Sequence, residues 1–420
     1  MRRNYLWYQF FRYGIVGPAL DMFYSEITVS GKNNIPKDKP IIFIPNHQNS
    51  FLDAVHVVTN TNLFIHFLTR SDPFQNPLLD VFLRSLNMLP VYRVSDGFST
   101  VKKNNETFEK CFKRLGKGDS ILVFAEATHD LKRRIRPISK GFTRIAFGAA
   151  KRNNWELDIQ IIPVGFSYGQ HQKSRTPVHI EFGSSIPLSD YKELFFEDER
   201  EAAQQLKKVT ANRLKGLTMH VPNLGHYPFY HLMLDELEEN REMLLQPNIV
   251  NQRVATLQGH VNETLKEDAK QLLDKADAKK LRLLDFIAPQ KIGIKEILLS
   301  PLYLFSLLNN ALPYQVVPWL TNHYLEDRVF DASVKFLVGL IFLPVFYLLI
   351  GVLLGFSGVD LPVILGYVAL SITTAPMFVR AKDLLKKDTA KQLKKEDPEL
   401  YDEISAKVQE FLDLKEHALE

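Results

Sequence analysis

The sequence predicts an α/β fold with a mixed sheet flanked by helices, followed by a helical C-terminal region and an apolar helical hairpin. Strand-like and helix-like segments alternate from Glu26 to about Pro187, which is typical of α/β domains. Charged helical segments then extend from Asp190 to Leu284. Two apolar runs, Phe336–Phe356 and Leu361–Val379, are each about the length needed to cross a bilayer.

Length, composition and charge indicate the number of domains and the kind of partner. A chain of 420 residues that is 45% hydrophobic predicts one large domain with extra segments, or two domains. The net charge of +4 is too small to argue for a nucleic-acid partner, but a basic surplus suits contact with anionic lipid or phosphate. The single cysteine, Cys111, cannot form an internal disulfide, which predicts a reducing compartment.

Residues 1–24 interleave arginines with aromatic side chains. Gln9 and Arg12 interrupt the apolar run, so the segment has neither the apolar core of a signal peptide nor the length of a membrane span. Aromatic residues among basic ones are typical of a helix that lies in the membrane interface. The alternative is a helix packed on the domain itself.

Short β-branched and aromatic runs predict seven strands, at Ile27–Ser30, Ile41–Ile44, Leu63–Leu68, Leu89–Tyr92, Ile121–Phe124, Ile159–Val164 and Val178–Phe182. Helices are predicted between several of them, at Pro77–Ser85, Asn105–Leu115 and Gly141–Lys151. The Asn76-Pro77 step favours a helix start, because proline at the first helical position loses no hydrogen bond.

The predicted strand Ile41–Ile44 ends at Pro45-Asn46 and leaves His47 at its exit. Asp53 follows about one and a half helical turns later, close enough to accept a hydrogen bond from the imidazole. An imidazole held in one tautomer by a carboxylate can take a proton from a hydroxyl, which predicts a transferase or hydrolase that uses an alcohol. The alternative is that His47 caps the following helix and Asp53 is an ordinary first-turn acid.

Four motifs occur in order in the first half of the chain: Asn46-His47 with Asp53, Leu89-Pro90-Val91-Tyr92-Arg93, Phe124-Ala125-Glu126-Ala127-Thr128, and Ile162-Pro163-Val164. Together they resemble the glycerol-phosphate and lysophosphatidate acyltransferases, the PlsC-like family. The usual first motif has four residues between His and Asp, and this chain has five, as some branches of that superfamily do. The usual third motif is Phe-Pro-Glu-Gly-Thr, and here alanine replaces both Pro and Gly.

The resemblance implies a membrane-bound acyltransferase of phospholipid synthesis, either a glycerol-3-phosphate or a 1-acylglycerol-3-phosphate O-acyltransferase. His47 would be the general base and Asp53 its orienting carboxylate. The acyl donor would be acyl-CoA or acyl carrier protein, with no other cofactor. A glycerol-phosphate-type acceptor would be bound by the remaining motif residues, which are Asn46, Arg93, Glu126 and Thr128.

A dense basic cluster follows Glu126, comprising Lys132, Arg133, Arg134, Arg136, Lys140 and Arg144. Because guanidinium groups hold phosphate with two parallel hydrogen bonds, Arg133 and Arg134 are predicted to bind the substrate. The alternative is a solvated loop that touches lipid headgroups. The histidines of the helical region have no convincing metal-ligand spacing, so no metal is expected.

The charges around the hairpin predict its orientation. Lys335 precedes the first apolar run, several basic residues from Arg380 to Lys387 follow the second, and the turn Ser357–Asp360 has no Lys or Arg. The positive-inside rule places both ends of the hairpin, and the catalytic region, on the cytoplasmic side. This would be the cytoplasmic membrane in a bacterium. A buried helical hairpin in a soluble core is the alternative.

The predicted division of the chain is 1–24 interfacial helix, 25–190 acyltransferase domain, 191–330 helical region, 331–380 transmembrane hairpin and 381–420 charged cytoplasmic tail. Two other functions fit parts of the sequence. A catalytically decayed lipid-binding or scaffold protein is favoured by the two alanines in the third motif. A lipid ester hydrolase would need a nucleophilic serine at a Gly-x-Ser-x-Gly elbow between strand and helix, and we expect none.

Overall fold

The computed structural model describes residues 5–92, 103–126, 130–239, 241–288 and 293–419. The chain forms two compact units, one of Met1–His171 with Pro177–His220 and one of Gln172–Thr176 with Val221–Glu420. The first unit therefore extends about thirty residues beyond the predicted boundary at 190. The reason is the helix Glu199–Gly216, whose buried leucines belong to the same core as the sheet.

The described residues of the first unit form one eight-stranded mixed sheet. Its strands are β1 Glu26–Ser30, β2 Ile41–Pro45, β3 Ile65–Arg70, β4 Met88–Val91, β5 Ser120–Leu122, β6 Gln160–Tyr168, β7 Pro177–Phe182 and β8 Ile186–Pro187. The order is β1-β7-β6-β2-β5-β3-β4, with β8 paired to β6. Strands β7 and β8 run antiparallel to β6, and the other pairs are parallel. All seven predicted strands are confirmed, and β8 is additional.

Helices alternate with the strands along the first unit, as predicted for an α/β domain. They are Tyr5–Gln9, Phe10–Val16 (a π-helix), Gly17–Phe23, Phe51–Asn60, Pro77–Ser85, Asn104–Leu115, Gly141–Arg152, Lys192–Glu197 and Glu199–Gly216, with short 3₁₀ turns at Lys32–Asn34, Asp72–Gln75 and Leu188–Tyr191. The Asn76-Pro77 start is confirmed, because the Asn76 side chain accepts hydrogen bonds from the amides of Leu78 and Leu79.

Strand β2 is wholly buried, and its Ile42 and Ile44 share one core with Ile145 and Ile161. The chain passes very close to β6 at Gly165, where an added Cβ would lie 2.0 Å from the carbonyl oxygen of Leu217. Only glycine permits that approach. The centre of the sheet is thus a rigid support for the loop that follows β2.

The N-terminal helices pack on the domain along one side, and their position in a membrane interface stays a prediction. Tyr8 and Arg12 are buried against the domain, and the Tyr8 hydroxyl accepts a hydrogen bond from the Ile65 amide. Leu6 and Phe10, by contrast, are 82% and 54% exposed. One side of this segment packs on the domain and the other presents apolar side chains to the surroundings.

The second unit is helical throughout its described residues. Its helices are Tyr227–His231, Leu232–Glu236 (a π-helix), Pro247–Gln258, Glu263–Ala278, Ile294–Leu298, Ser300–Asn309, Ala311–Tyr324, Asp331–Phe356, Leu361–Thr374, Met377–Leu384, Thr389–Glu396 and Pro398–Leu419, with 3₁₀ turns at Leu224–His226, Arg241–Leu245, Leu283–Phe286 and Arg328–Phe330. Within the described ranges, the segment Arg328–Phe356 is a helix long and apolar enough to cross a membrane.

The second apolar run is not one straight helix. It ends at Thr374 and resumes at Met377, and the two pieces are bent by 59°. Pro376 lies at this break, where its missing amide hydrogen and its ring disfavour a continuous helix. The predicted hairpin therefore consists of one long helix and one broken helix.

Candidate active site

The site lies at the carboxyl ends of three neighbouring strands. Strand β2 runs parallel to both β5 and β6 and lies between them, so their carboxyl ends share one edge of the sheet. Residues that follow each strand therefore meet there, as is usual for sites on open α/β sheets. The residues concerned are His47 after β2, Glu126 after β5, and Tyr168 at the end of β6.

The predicted pair of His47 and Asp53 is formed. His47 Nδ1 lies 3.0 Å from Asp53 Oδ2, the Asp53 side chain is fully buried, and the His47 side chain is 14% exposed. A carboxylate acceptor at Nδ1 favours the tautomer with its proton on Nδ1, so the lone pair is on Nε2. The imidazole can thus accept a proton at Nε2 while the carboxylate stabilises the resulting cation.

A turn at Ser50 lies within the five-residue spacing between His47 and Asp53. Its φ of 50° and ψ of −123° lie in a region that favours glycine. The turn brings the amides of Gln48 and Asn49 to Asp53 Oδ2, at 3.0 and 2.8 Å. Asp53 therefore fixes the loop backbone as well as the imidazole, and the longer spacing preserves the pair.

This turn gives a stability prediction. Ser50→Gly should raise the free energy of unfolding by roughly 1 kcal/mol, because glycine relieves strain at positive φ, and the Ser50 side chain makes no helix-capping hydrogen bond that would be lost. Thermal unfolding of the full chain in detergent measures the change. Ser50→Val is the matched comparison and should destabilise the protein. A glycine variant less stable than the parent would contradict the inferred strain.

Glu126 and Arg136 form a buried ion pair beneath His47. Arg136 Nη2 lies 2.6 Å from Glu126 Oε2 and 3.1 Å from the His47 carbonyl oxygen. The His47 amide donates to Glu126 Oε2 at 3.1 Å, and the Arg136 amide donates to Oε1 at 2.9 Å. The pair therefore holds the backbone of His47 from both its amide and its carbonyl group.

Two aromatic residues complete the surroundings of the His47–Asp53 pair. Phe124 stacks on the imidazole with ring centroids 3.7 Å apart and planes at 17°. The hydroxyl of Tyr168 donates to Asp53 Oδ1 at 2.6 Å. Phe124 belongs to the third motif, but nothing in the sequence marked Tyr168. Only the register of β6 against β2 brings it to Asp53.

Several predicted substrate-binding residues are engaged within the protein. The Asn46 side chain is buried and exchanges two hydrogen bonds with the backbone of Phe166, which fixes the exit of β2. Arg133 is also buried and donates to the carbonyl oxygens of Tyr168 and Gly169, at 2.8 and 3.1 Å. Both residues therefore support the site's framework, and binding of substrate by them stays a prediction.

The other predicted contacts differ in their surroundings. The Arg134 side chain is 26% exposed and lies 3.6 Å from Asp130, so it is accessible at the surface. Arg93 and Thr128 lie outside the described residues. Arg136, which the sequence placed in the basic cluster without a separate role, is the arginine that pairs with Glu126. Its position in the run could not distinguish it from its neighbours.

The expectation that the chain has no Gly-x-Ser-x-Gly stretch is wrong, because residues 165–169 read Gly-Phe-Ser-Tyr-Gly. Ser167, however, is buried inside β6 and pairs with His179 of β7. Its hydroxyl donates to Thr218 Oγ1 at 3.4 Å. A hydrolase elbow requires an exposed serine at a strand-to-helix turn, and Ser167 has neither property.

No group of three or more His, Cys, Asp or Glu side chains suited to a metal ion occurs within the described part of the chain. The chemistry available from the described residues is acid–base chemistry. A carboxylate-oriented imidazole at a sheet edge can activate a hydroxyl group.

Comparison with known proteins finds similarity over part of the chain. Residues 26–167 match the model of the Acyltransferase family. A chloroplastic 1-acyl-sn-glycerol-3-phosphate acyltransferase of Arabidopsis thaliana is 26% identical over 122 residues, which are 29% of this chain and 32% of the relative. A 1-acyl-sn-glycerol-3-phosphate acyltransferase of Chlamydomonas reinhardtii is 27% identical over 140 residues, 33% of this chain and 38% of the relative.

The matched segment thus spans about a third of the length of these relatives. Among solved structures, the 1-acyl-sn-glycerophosphate acyltransferase PlsC from Thermotoga maritima is similar, with 19% identity and a TM-score of 0.38. That alignment covers 52% of this chain and 83% of the PlsC chain.

Proposed function

Because residues 26–167 match the Acyltransferase family model, we propose that the protein transfers an acyl chain from a thioester to a hydroxyl of a glycerol-phosphate ester. The observation that carries the proposal is the His47–Asp53 pair at 3.0 Å. The relatives are named for 1-acyl-sn-glycerol 3-phosphate, which is therefore the first candidate acceptor. Acyl-CoA and acyl carrier protein are the candidate donors.

The proposed reaction uses His47 as general base. Nε2 takes the proton of the acceptor hydroxyl while Asp53 stabilises the imidazolium. The resulting alkoxide attacks the thioester carbonyl carbon, a C–O bond forms, and the C–S bond breaks. The leaving thiolate takes the proton back from the imidazolium, so the products are an ester and a free thiol. This cycle leaves His47 in its starting state.

The intact pair supports this proposal over a decayed scaffold protein. Asp53 is fully buried and accepts hydrogen bonds from His47 and from the amides of Gln48 and Asn49. The two alanines of the third motif flank Glu126, and Glu126 keeps its bonds to His47 and Arg136. The arrangement therefore favours an active enzyme.

An acceptor panel tests the proposed function. The purified full chain in detergent is incubated with radiolabelled acyl-CoA and, separately, with glycerol 3-phosphate, 1-acyl-sn-glycerol 3-phosphate and a lysophosphatidylcholine. We expect ester formation with a phosphate-ester acceptor and release of free thiol in equal amount. Thiol release without ester would indicate hydrolysis, and membrane binding without either product would indicate a scaffold.

Membrane association is also part of the proposal. The exposed side of the N-terminal helices continues onto the helix Pro77–Ser85. The Trp7 indole donates to the Ser85 hydroxyl at 3.1 Å, and the ring centroids of Phe11 and Phe82 are 5.7 Å apart. Leu78 on that helix is 83% exposed. An apolar surface of this kind suits the interfacial zone of a bilayer, and Arg328–Phe356 suits a span.

The charge pattern gives a topological prediction. A cysteine introduced at Ser357, in the turn of the hairpin, should react with an impermeant maleimide in intact cells, because the turn has no Lys or Arg. A cysteine at Lys387 should react only after the membrane is permeabilised. The native Cys111 is fully buried, so background labelling should be low. Equal labelling at both positions in intact cells would contradict this topology.

A further inference from the structure

The buried end of the Asp53 carboxylate carries a feature that the proposed reaction does not use. Oδ2 accepts from His47 and from two loop amides, whereas Oδ1 accepts from the Tyr168 hydroxyl at 2.6 Å. Tyr168 is fully buried. A short hydrogen bond to a carboxylate in a buried setting is among the stronger ones in proteins.

Tyr168 is itself held in place. Its backbone carbonyl accepts from Arg133 at 2.8 Å, and its hydroxyl is hydrogen-bonded to that of Tyr24. Tyr24 also accepts from Asn49 at 3.5 Å. Three separate segments, the N-terminal helices, the loop after β2 and the end of β6, thus converge on one carboxylate.

Tyr168 gives its single hydroxyl proton to Asp53, so its oxygen accepts from the Tyr24 hydroxyl. Burial, with the nearby Asp53 charge, raises the pKa of the Tyr168 hydroxyl well above its ordinary value, and burial does the same for the pKa of Tyr24. The neighbouring His56 is fully buried, and its burial lowers its pKa to about 4. Tyr168, Tyr24 and His56 are therefore uncharged near neutral pH.

We propose that Tyr168 is a positioning residue for acyl transfer. Its hydroxyl orients the Asp53 carboxylate so that Oδ2 faces His47, and its hydrogen bond to Oδ1 withdraws part of the carboxylate's negative charge. The inference rests on the proposed function. Sharing the charge limits how strongly Asp53 holds the imidazolium, which must return its proton to the leaving thiolate in each turnover. Tyr168 thus adjusts the proton affinity of the base without touching the substrate.

Two variants should shift the acidic midpoint of the kcat/KM–pH profile in opposite directions. Tyr168→Phe removes the donor, leaves more negative charge at Oδ2, and should move the acidic midpoint of the kcat/KM–pH profile upward by roughly half a unit to one unit, with a loss on the order of tenfold in kcat. Tyr168→3-fluorotyrosine keeps the shape and strengthens the donor. It should move the midpoint downward.

The pH readout must be assigned to His47 among the titratable and charged groups around it. These groups are Tyr24, His56, Glu126, Arg133, Arg136, Tyr168 and His171. NMR of the histidine ring carbons in the full chain, with the His47 signal identified by its loss in His47→Asn, gives the titration midpoint of His47 without any turnover.

The control is Tyr230→Phe. Tyr230 is fully buried in the second unit, and its hydroxyl has no hydrogen-bond partner among the described residues, so this variant should change neither midpoint nor kcat. Opposite midpoint shifts in the two Tyr168 variants support the proposal. An equal loss of activity at every pH, with an unmoved midpoint, would show a merely structural role and overturn it.

The failure of the proposed function is distinguishable from the failure of this inference. A parent protein that esterifies none of the acceptors rejects acyl transfer, while the NMR midpoint still decides whether Tyr168 acts on His47 through Asp53. If Tyr168→Phe fails to fold, the fluorotyrosine variant decides alone. An unchanged His47 midpoint in that variant would overturn the inference.

Discussion

Replacing His47 with alanine should lower kcat for acyl transfer by about 10²- to 10⁴-fold, because a positioned general base contributes on this order. The fold should survive, since the Glu126–Arg136 pair binds the backbone of His47 rather than its ring. Initial rates with a phosphate-ester acceptor measure the effect. His260→Ala, at an exposed position in the second unit, is the matched control and should retain full activity.

Asp53→Asn refines this prediction. The sequence alone predicts a loss comparable to that of His47→Ala, through the wrong imidazole tautomer. In the structure, two backbone amides donate to Oδ2, so the amide oxygen of asparagine should occupy that position and preserve the tautomer. We therefore expect a smaller loss than for His47→Ala, caused by the missing charge. Near-normal turnover in His47→Ala would remove the imidazole from the mechanism.

Arg136→Met should lower the free energy of unfolding by about 3–5 kcal/mol, because it leaves the Glu126 carboxylate buried without its cation. The side chains of this pair are only 8% and 1% exposed. Activity should fall as well, since Arg136 also binds the His47 carbonyl oxygen. Chemical unfolding of the full chain in detergent, followed by tryptophan fluorescence, measures the stability.

The chain offers a matched control for that substitution. Arg152 forms an ion pair with Glu109 in which the side chains are 42% and 51% exposed, and solvated pairs contribute little to stability. Arg152→Met should therefore lower the free energy of unfolding by less than about 1 kcal/mol. The double variant Glu126→Gln with Arg136→Met should recover much of the lost stability, because no unpaired charge remains. Equal costs for Arg136→Met and Arg152→Met would contradict a buried pair.

Local patterns in the sequence were sufficient for seven of the eight strands described in the sheet. Each strand of the predicted set is a short run rich in β-branched or aromatic residues, which favour strands. The helix at Pro77 begins where predicted because the asparagine cap and the proline act within one turn. The second apolar run was different, since Pro376 breaks the helix within a run that hydropathy alone reads as continuous.

Some parts of the candidate site were likewise predicted from local sequence, and others were not. The sequence by itself determined the motif residues His47, Asp53 and Glu126, because their spacing to the preceding strands is local and resembles a known family. Only the tertiary structure decided which arginine of the basic run pairs with Glu126 and that Tyr168 reaches Asp53. Those contacts join residues 10 and 115 positions apart. The Tyr168–Asp53 contact depends on the pairing of β6 with β2, and the Glu126–Arg136 contact depends on the course of the loop after β5.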